Sequence, residues 1–316
     1  MARYPGLGDA LVSAVRAGCE GTDVAVAFSG GLDSGLVAAI AKGHAKSVTL
    51  YTCGGDASYD VAKARELSGT LGLPWVHVPL TKEGIGADIK AMVAATGVSD
   101  PFTISYELPL FRVCGACGEG VVLSGQGADE HFMGCAKYVG APDGEYEALA
   151  RAGVERLTNI SLPCERRIAE HFGKEIVYPY LDAAVLSEIG KLDPSELRPA
   201  DMGSRKSVLK AVATDLGFPF LTAMEKKSSQ YGSGAAGLIR ALAKGEGKMF
   251  NEYVMALHDE AVCGSAGGTQ IVARVDPLVK ARAEGILREQ GITPSEAIGM
   301  FYRAIVDDGG LGTRRD

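Results

Sequence analysis

Most of the features that would set this chain apart from an ordinary globular enzyme are missing from it. No apolar run reaches the roughly 18 residues that a membrane-spanning helix needs, and the opening Met1-Ala2-Arg3-Tyr4-Pro5 lacks the basic and apolar regions of a secretory signal. Neither a membrane protein nor an exported one is expected. Positive charge is not in excess either: 32 Lys and Arg against 39 Asp and Glu leave a net charge of -7, so nucleic acid would be drawn only to a local surface. The seven cysteines are odd in number and scattered, which argues against a disulfide framework and reads as reduced thiols in the cytoplasm. Cys114-Gly115-Ala116-Cys117, with Cys135 beyond it, has no second pair to complete a tetrahedral zinc site. Packing on a helix face is the simpler reading, with a redox or metal role left open. The five histidines do not cluster.

What remains is a chain of 316 residues with 47% hydrophobic and 22% charged composition, long enough for one large domain and a small one. Its organising stretch is Val24-Ala25-Val26-Ala27-Phe28-Ser29-Gly30-Gly31-Leu32-Asp33-Ser34, an apolar strand that runs through a glycine turn into an apolar helix. Two glycines permit close backbone approach, and the hydroxyls of Ser29 and Ser34 can donate to phosphate oxygens. The helix start aims unpaired N–H groups at the same point. Asp33 would repel a phosphate unless a cation sat between them, which suggests magnesium.

Around this stretch the pattern alternates. The expected strands are Val24–Phe28, Ser47–Thr52 and Trp75–Pro79, and each is followed by a helical segment. That order predicts an α/β fold with a doubly wound parallel sheet, whose ligand lies at the carboxyl ends of the strands. A second strand-to-loop signal, Val121-Val122-Leu123-Ser124-Gly125-Gln126-Gly127-Ala128-Asp129-Glu130, again brings glycines and carboxylates to a helix start. The two loops can close on one phosphate-bearing ligand with magnesium shared between Asp33 and Asp129.

Neither loop has the spacing of a Walker loop or of a dinucleotide fold. Together S-G-G-L-D-S and S-G-Q-G-A-D-E resemble the ATP pyrophosphatase loop, of HUP-like fold, and the synthetase domain of the asparagine synthetases. Tyr178-Pro179-Tyr180-Leu181-Asp182, Arg205-Lys206-Ser207-Val208-Leu209-Lys210 and Lys226-Lys227-Ser228-Ser229-Gln230-Tyr231-Gly232-Ser233-Gly234 follow in that family's order. The resemblance implies pyrophosphate and magnesium on Ser29, Gly30, Gly31, Asp33, Ser34 and Asp129. It implies adenosine contacts from Phe28, Cys53, Ser124 and Gly125. It also implies a lysine that meets the phosphates of the transition state, Lys227 with Lys226 as alternate. The chemistry agrees, because splitting the α–β bond develops charge on pyrophosphate.

Departures from the family limit the substrate assignment. The nucleophile cysteine that follows Met1 in glutamine-using members is Ala2, so nitrogen is expected from ammonia, an amine or a separate glutaminase subunit. The family glutamate of the second loop is Gln126, whose amide can orient a nucleophile but cannot take its proton. Val177 and Glu225 stand where arginines are usual. The implied reaction is adenylation of aspartate or a related small carboxylic acid, then amidation. The other reading is a transcription regulator whose ATP domain senses nucleotide or amino acid.

Residues 1–244 are thus expected to be the ATP domain and 245–268 a glycine-rich linker with a possible short helix from Phe250 to Val262 within it. In 269–316, Gln270 to Val275 alternate as a strand. Asp276-Pro277 caps a helix that ends near Gly291, and Thr293-Pro294-Ser295-Glu296 opens another with a capping box. Strand, helix, helix resembles the ribbon-helix-helix of RelB/DinJ antitoxins. That implies a homodimer and DNA contact through Gln270, Val272 and Arg274. Seven basic and seven acidic side chains cancel in 269–316, so dimerisation without DNA is the competing expectation.

Overall fold

The computed structural model describes residues 2–223, 229–266, 271, 273, 275–290 and 292–308. It divides into two compact units, Met1–Gly268 and Thr269–Asp316.

The first unit is built on five parallel strands, β1 Asp23–Ala27, β2 Ser47–Gly54, β3 Trp75–Pro79, β4 Val121–Leu123 and β5 Glu175–Val177. Their order is β3-β2-β1-β4-β5. Val24 pairs with Val48 on one side and Val121 on the other, and Val121 pairs in turn with Glu175. Alternation along each strand feeds two apolar layers. Val24, Val26, Val48, Leu50 and Leu123 belong to one buried cluster, with residues of the helices Pro5–Cys19, Leu32–Ala41 and Ser207–Asp215. Ala25, Tyr51, Cys53 and Val122 face the other, with the helices Ile85–Thr96, Pro101–Ala116 and Ala235–Gly245. Period-2 strands covered on both faces are the physical content of a doubly wound sheet, and the α/β expectation stands. The strand order reverses direction between β1 and β4, where the carboxyl ends of a parallel sheet leave a crevice. Both glycine loops leave the sheet at that point.

Two stretches differ from the sequence reading. β5 was not expected; it is only three residues long, bounded by Lys174 and Tyr178-Pro179, too short for periodicity to reveal. Residues 245–268, expected to be a linker with a possible short helix Phe250 to Val262 inside it, hold the longer helix Phe250–Ala266. Tyr253, Val254 and Ala261 bury one face of it in the second apolar layer, with Leu257 against them. That i, i+4, i+8 spacing is a helix stripe, and its burial outweighs the flexibility that the flanking glycines suggest.

In the second unit the two helices form at the expected caps. Asp276 accepts from the N–H groups of Leu278 and Val279 at 2.9 and 3.1 Å ahead of the helix Pro277–Glu289. Thr293 Oγ1 accepts from Glu296 N at 3.3 Å while Glu296 Oε2 accepts from Thr293 N at 2.8 Å, opening the helix Pro294–Asp308. Ile271, Ala273 and Val275 carry no strand among the described residues, because a lone extended segment has no edge to pair with. Gln270, Val272 and Arg274 lie outside the described residues.

Candidate active site

The first loop is shaped for close approach. Gly30 takes φ +71°, and a Cβ there would run into the backbone of Lys63 and Ala64 on the next helix. Gly31 caps the helix Leu32–Ala41 with no side chain closing its first turn, which leaves N–H groups and the positive dipole end directed at the crevice. Ser34 Oγ accepts from Ser29 N at 3.2 Å and lies 3.3 Å from Ser29 Oγ, so the two hydroxyls converge. Tyr180, fully buried, donates to the Asp33 carbonyl at 2.9 Å and ties the Tyr178–Asp182 block to the helix start.

The second loop meets the first through Gly125. A Cβ on it would stand 3.0 Å from Ser34 N and 3.1 Å from Asp33 Cβ, so only glycine lets the loops touch without displacement. Ser124 Oγ accepts from Gln126 N at 3.2 Å. The cleft between the loops is lined by Phe28, Ser29, Asp33, Ser34, Cys53, Ser124, Gly125 and Gln126 from the sequence-based set. Burial pushes the Cys53 thiol up to about 12, which keeps it neutral and unreactive. Cys19, Cys53, Cys114, Cys117, Cys135 and Cys164 are all free thiols. No group of three metal-ligating side chains occurs among the described residues.

The electrostatic centre is a residue to which the sequence had assigned no role. Lys206 Nζ lies 2.6 Å from both Asp33 carboxylate oxygens and 2.7 Å from Asp129 Oδ1. It is 7% exposed and takes φ +57°, a left-handed conformation rare outside glycine. A Cβ on Gly134 would collide with Asp129 Oδ1 and Lys206 Cε, so the chain leaves room there for the pair and nothing more. Asp33 and Asp129 therefore converge on one cationic point, and their hard oxygens are of the kind that magnesium takes. Lys206 occupies the point. Only the block Arg205–Lys210 signalled it in the sequence. Lys226 and Lys227, the expected phosphate lysines, lie outside the described residues.

Two more functional candidates had no sequence signal. Glu107, on the helix Pro101–Ala116, and Glu165, on the helix Leu162–His171, line the same cleft and are each 2% exposed. Burial first, then each other's charge, raises the Glu107 pKa well above the ordinary carboxyl value. Burial raises Glu165 to about 8, against the pull of the Tyr178 hydroxyl and the Gln126 amide beside it. Asp60, also buried, lines the cleft from the helix Tyr59–Leu71.

A family model described as asparagine synthase matches residues 6–159. A Methanocaldococcus jannaschii protein that bears the name of a glutamine-hydrolysing asparagine synthetase is 27% identical, over 80% of this chain and 54% of its own length. An Arabidopsis thaliana glutamine-hydrolysing asparagine synthetase 1 is 29% identical over 63% of this chain and 37% of its own. Asparagine synthetase B of Escherichia coli is 27% identical over 58% and 37%. The chain thus spans about half the length of the curated relatives it matches, or less. Among solved structures, NMN synthetase from Francisella tularensis aligns with a TM-score of 0.40 at 13% identity, covering 86% of this chain and 98% of that one, too loose a likeness to bear on function. The class defined here is a parallel α/β unit with an anion cradle at its switch point. The sequence matches support the asparagine synthetase family for that unit.

Proposed function

We propose that the chain is a carbon–nitrogen ligase that adenylates a small carboxylic acid, aspartate or a related one, and then transfers the acyl group to ammonia or an amine. The observation that carries this reading is the convergence of two glycine loops and three charged groups, Asp33, Asp129 and Lys206, on one point of the crevice. In the adenylation step a carboxylate oxygen attacks the α phosphorus of ATP and pyrophosphate leaves. The open N–H groups of the helix Leu32–Ala41 and the hydroxyls of Ser29 and Ser34 hold the departing phosphates. Phe28, Cys53, Ser124 and Gly125 form the wall for the nucleoside. Magnesium, when held by Asp33 and Asp129, supplies positive charge to the phosphate oxygens. Lys206 is the resident cation of that point and would add its ammonium charge to the phosphates if magnesium were held by Asp33 and Asp129. Lys227, or Lys226, is proposed as a second phosphate contact. The nitrogen comes from free ammonia, an amine or a separate glutaminase subunit, in the cytoplasm.

For Thr269–Asp316 we propose a dimerising module in the manner of a ribbon-helix-helix. Its helices expose Leu278 at 76% and Val306 at 79%, together with Ile286 and Phe301, an apolar surface that a second copy would cover. DNA contact through Gln270, Val272 and Arg274 is the further step of that reading. A gel shift against DNA upstream of the coding sequence tests it, and no shift at low salt removes both DNA binding and the regulator reading.

The ligase reading is tested by release of AMP and pyrophosphate from ATP and magnesium across a panel of carboxylic acids, with and without ammonium. Release that depends on one acid and is lost in Asp33→Ala supports it. Tight ATP binding with no release for any acid overturns it.

A further inference from the structure

An ammonium nitrogen that becomes an amide nitrogen must lose two protons, and the cleft needs groups to take them. Position 126 offers an amide, which takes none. Directly beside it lie two carboxyls that the adenylation step leaves unused. Glu107 Oε1 and Glu165 Oε2 are buried oxygens with no hydrogen-bond partner, and no ion pair among the described residues includes either side chain. Both line the cleft that the nucleotide loops enclose. An unpaired buried carboxyl is costly, and a pair of them more so. Such a pair is tolerated where a ligand supplies the missing cation.

We infer that Glu107 and Glu165 form the subsite for the nitrogen nucleophile, bound as a primary ammonium group, and that the pair accepts its protons while the amide bond forms. This rests on the ligase reading above. Docking of R–NH3+ displaces the protons of the pair to solvent and leaves two carboxylates, since a cation between two carboxyls favours their ionised form. One carboxylate then takes a proton from the ammonium. The freed nitrogen lone pair attacks the acyl carbon, and the C–N bond forms. The bond from the acyl carbon to the AMP oxygen breaks, and AMP leaves with that electron pair. The second carboxylate takes the remaining surplus proton from nitrogen.

The surroundings fit this assignment. Tyr106 donates to Gln126 Oε1 at 3.5 Å, which turns the Gln126 NH2 end toward Glu165 and steers the carboxylate without neutralising it. Ser161 donates to Glu107. The nearest full charges are Arg156, Glu130 and Arg166. Arg156 acts on Glu107 but is held by Asp100 and Thr103 at 3.2 and 2.9 Å; Glu130 adds negative potential to both carboxyls; Arg166 acts on Tyr178. The net field at the pair attracts a cation. It does not attract a second carboxylate substrate, so acid and amine are kept to opposite ends of one cleft.

The test uses the full chain with Glu165→Gln and Glu107→Gln made separately. ATP–pyrophosphate exchange with the active acid should be retained, within about twofold, while amide formation from ammonium should fall about 100-fold. Hydroxylamine, which is unprotonated at neutral pH, should recover most of the lost rate. Amide formation from ammonium within about threefold of the parent, or exchange and amidation falling together, would overturn the inference. A second measurement does not need turnover. With 13C-carboxyl glutamate, ammonium chloride should lower the titration midpoint of Glu165 relative to sodium chloride, and this shift should vanish in Glu107→Gln. No shift overturns the subsite. Absence of exchange for every acid in the parent chain would overturn the ligase reading, and the titration would still decide whether the pair binds ammonium.

Discussion

Two carboxylate pairs line the same crevice and solve opposite problems. Asp33 and Asp129 come from the starts of two helices and share the ammonium of Lys206. Glu107 and Glu165 come from the sides of two helices, are buried more deeply than Asp129, and have no cation between them among the described residues. The first pair has a cation set between its carboxylates. The second is driven toward the neutral form by desolvation. A fold that carries both in one cleft has prepared one end for a reaction that sheds negative charge and the other for one that sheds protons.

The sharpest way to break the contrast is to remove the cation from the first pair. Lys206→Met strands two carboxylates in a site built for three charges. Urea unfolding should show a loss of about 3–5 kcal/mol, and pyrophosphate release should fall by about 10²–10³. Lys206→Arg keeps the charge but not the compact ammonium geometry, and should recover stability more than activity.

A smaller effect is expected from Gly134→Ala, which pushes a methyl between Asp129 and Lys206 and leaves the second pair untouched. Destabilisation of about 1–3 kcal/mol should appear in the same urea titration, with the pH dependence of stability unchanged. An altered pH dependence would mean that the two pairs are coupled.

The second pair is tested by pH. A carboxyl with a raised pKa keeps its proton in the folded chain after the unfolded chain has released it. Glu165 therefore makes stability fall as pH rises from its ordinary 4.5 to about 8, and adds no further slope above that. Glu165→Gln should be more stable than the parent by about 2 kcal/mol at the alkaline end and equal to it at the acid end, measured by denaturant unfolding at both limits. A parent chain that gains stability through this window would overturn the assignment of burial as the dominant cause. The smallest expected change is in Tyr178→Phe. The hydroxyl pulls the Glu165 pKa down, so its removal should raise the midpoint by up to about one unit in a carboxyl-resolved titration.

The contrast also shows where sequence reading is strong and where it stops. The cradle Ser29–Ser34 and the loop Ser124–Asp129 were legible because each is a run of contiguous residues, and each joins a strand to a helix start. The caps at Asp276 and Thr293 were legible for the same reason, since a cap is satisfied within three residues of itself. β5 escaped because three residues hold no period. The helix Phe250–Ala266 was legible only in part, as a possible Phe250–Val262 inside a linker, because the glycines around it hid that its apolar stripe is buried. The strand expected over Gln270 to Val275 falls partly outside the described residues, and Ile271, Ala273 and Val275 carry none.

The amino-acid sequence by itself determined the parallel α/β layering, the position of the nucleotide crevice and the chemistry of its two loops, because strand periodicity and turn residues act over a few residues. Tertiary structure alone decided that Lys206 bridges Asp33 and Asp129, across 173 residues of chain from the first, and that Glu107 meets Glu165 beneath Gln126. A lone lysine or glutamate reads as a solvated surface residue in any local window. Only the closing of helices over the sheet removes the water, and desolvation is what turns an ordinary charge into a site.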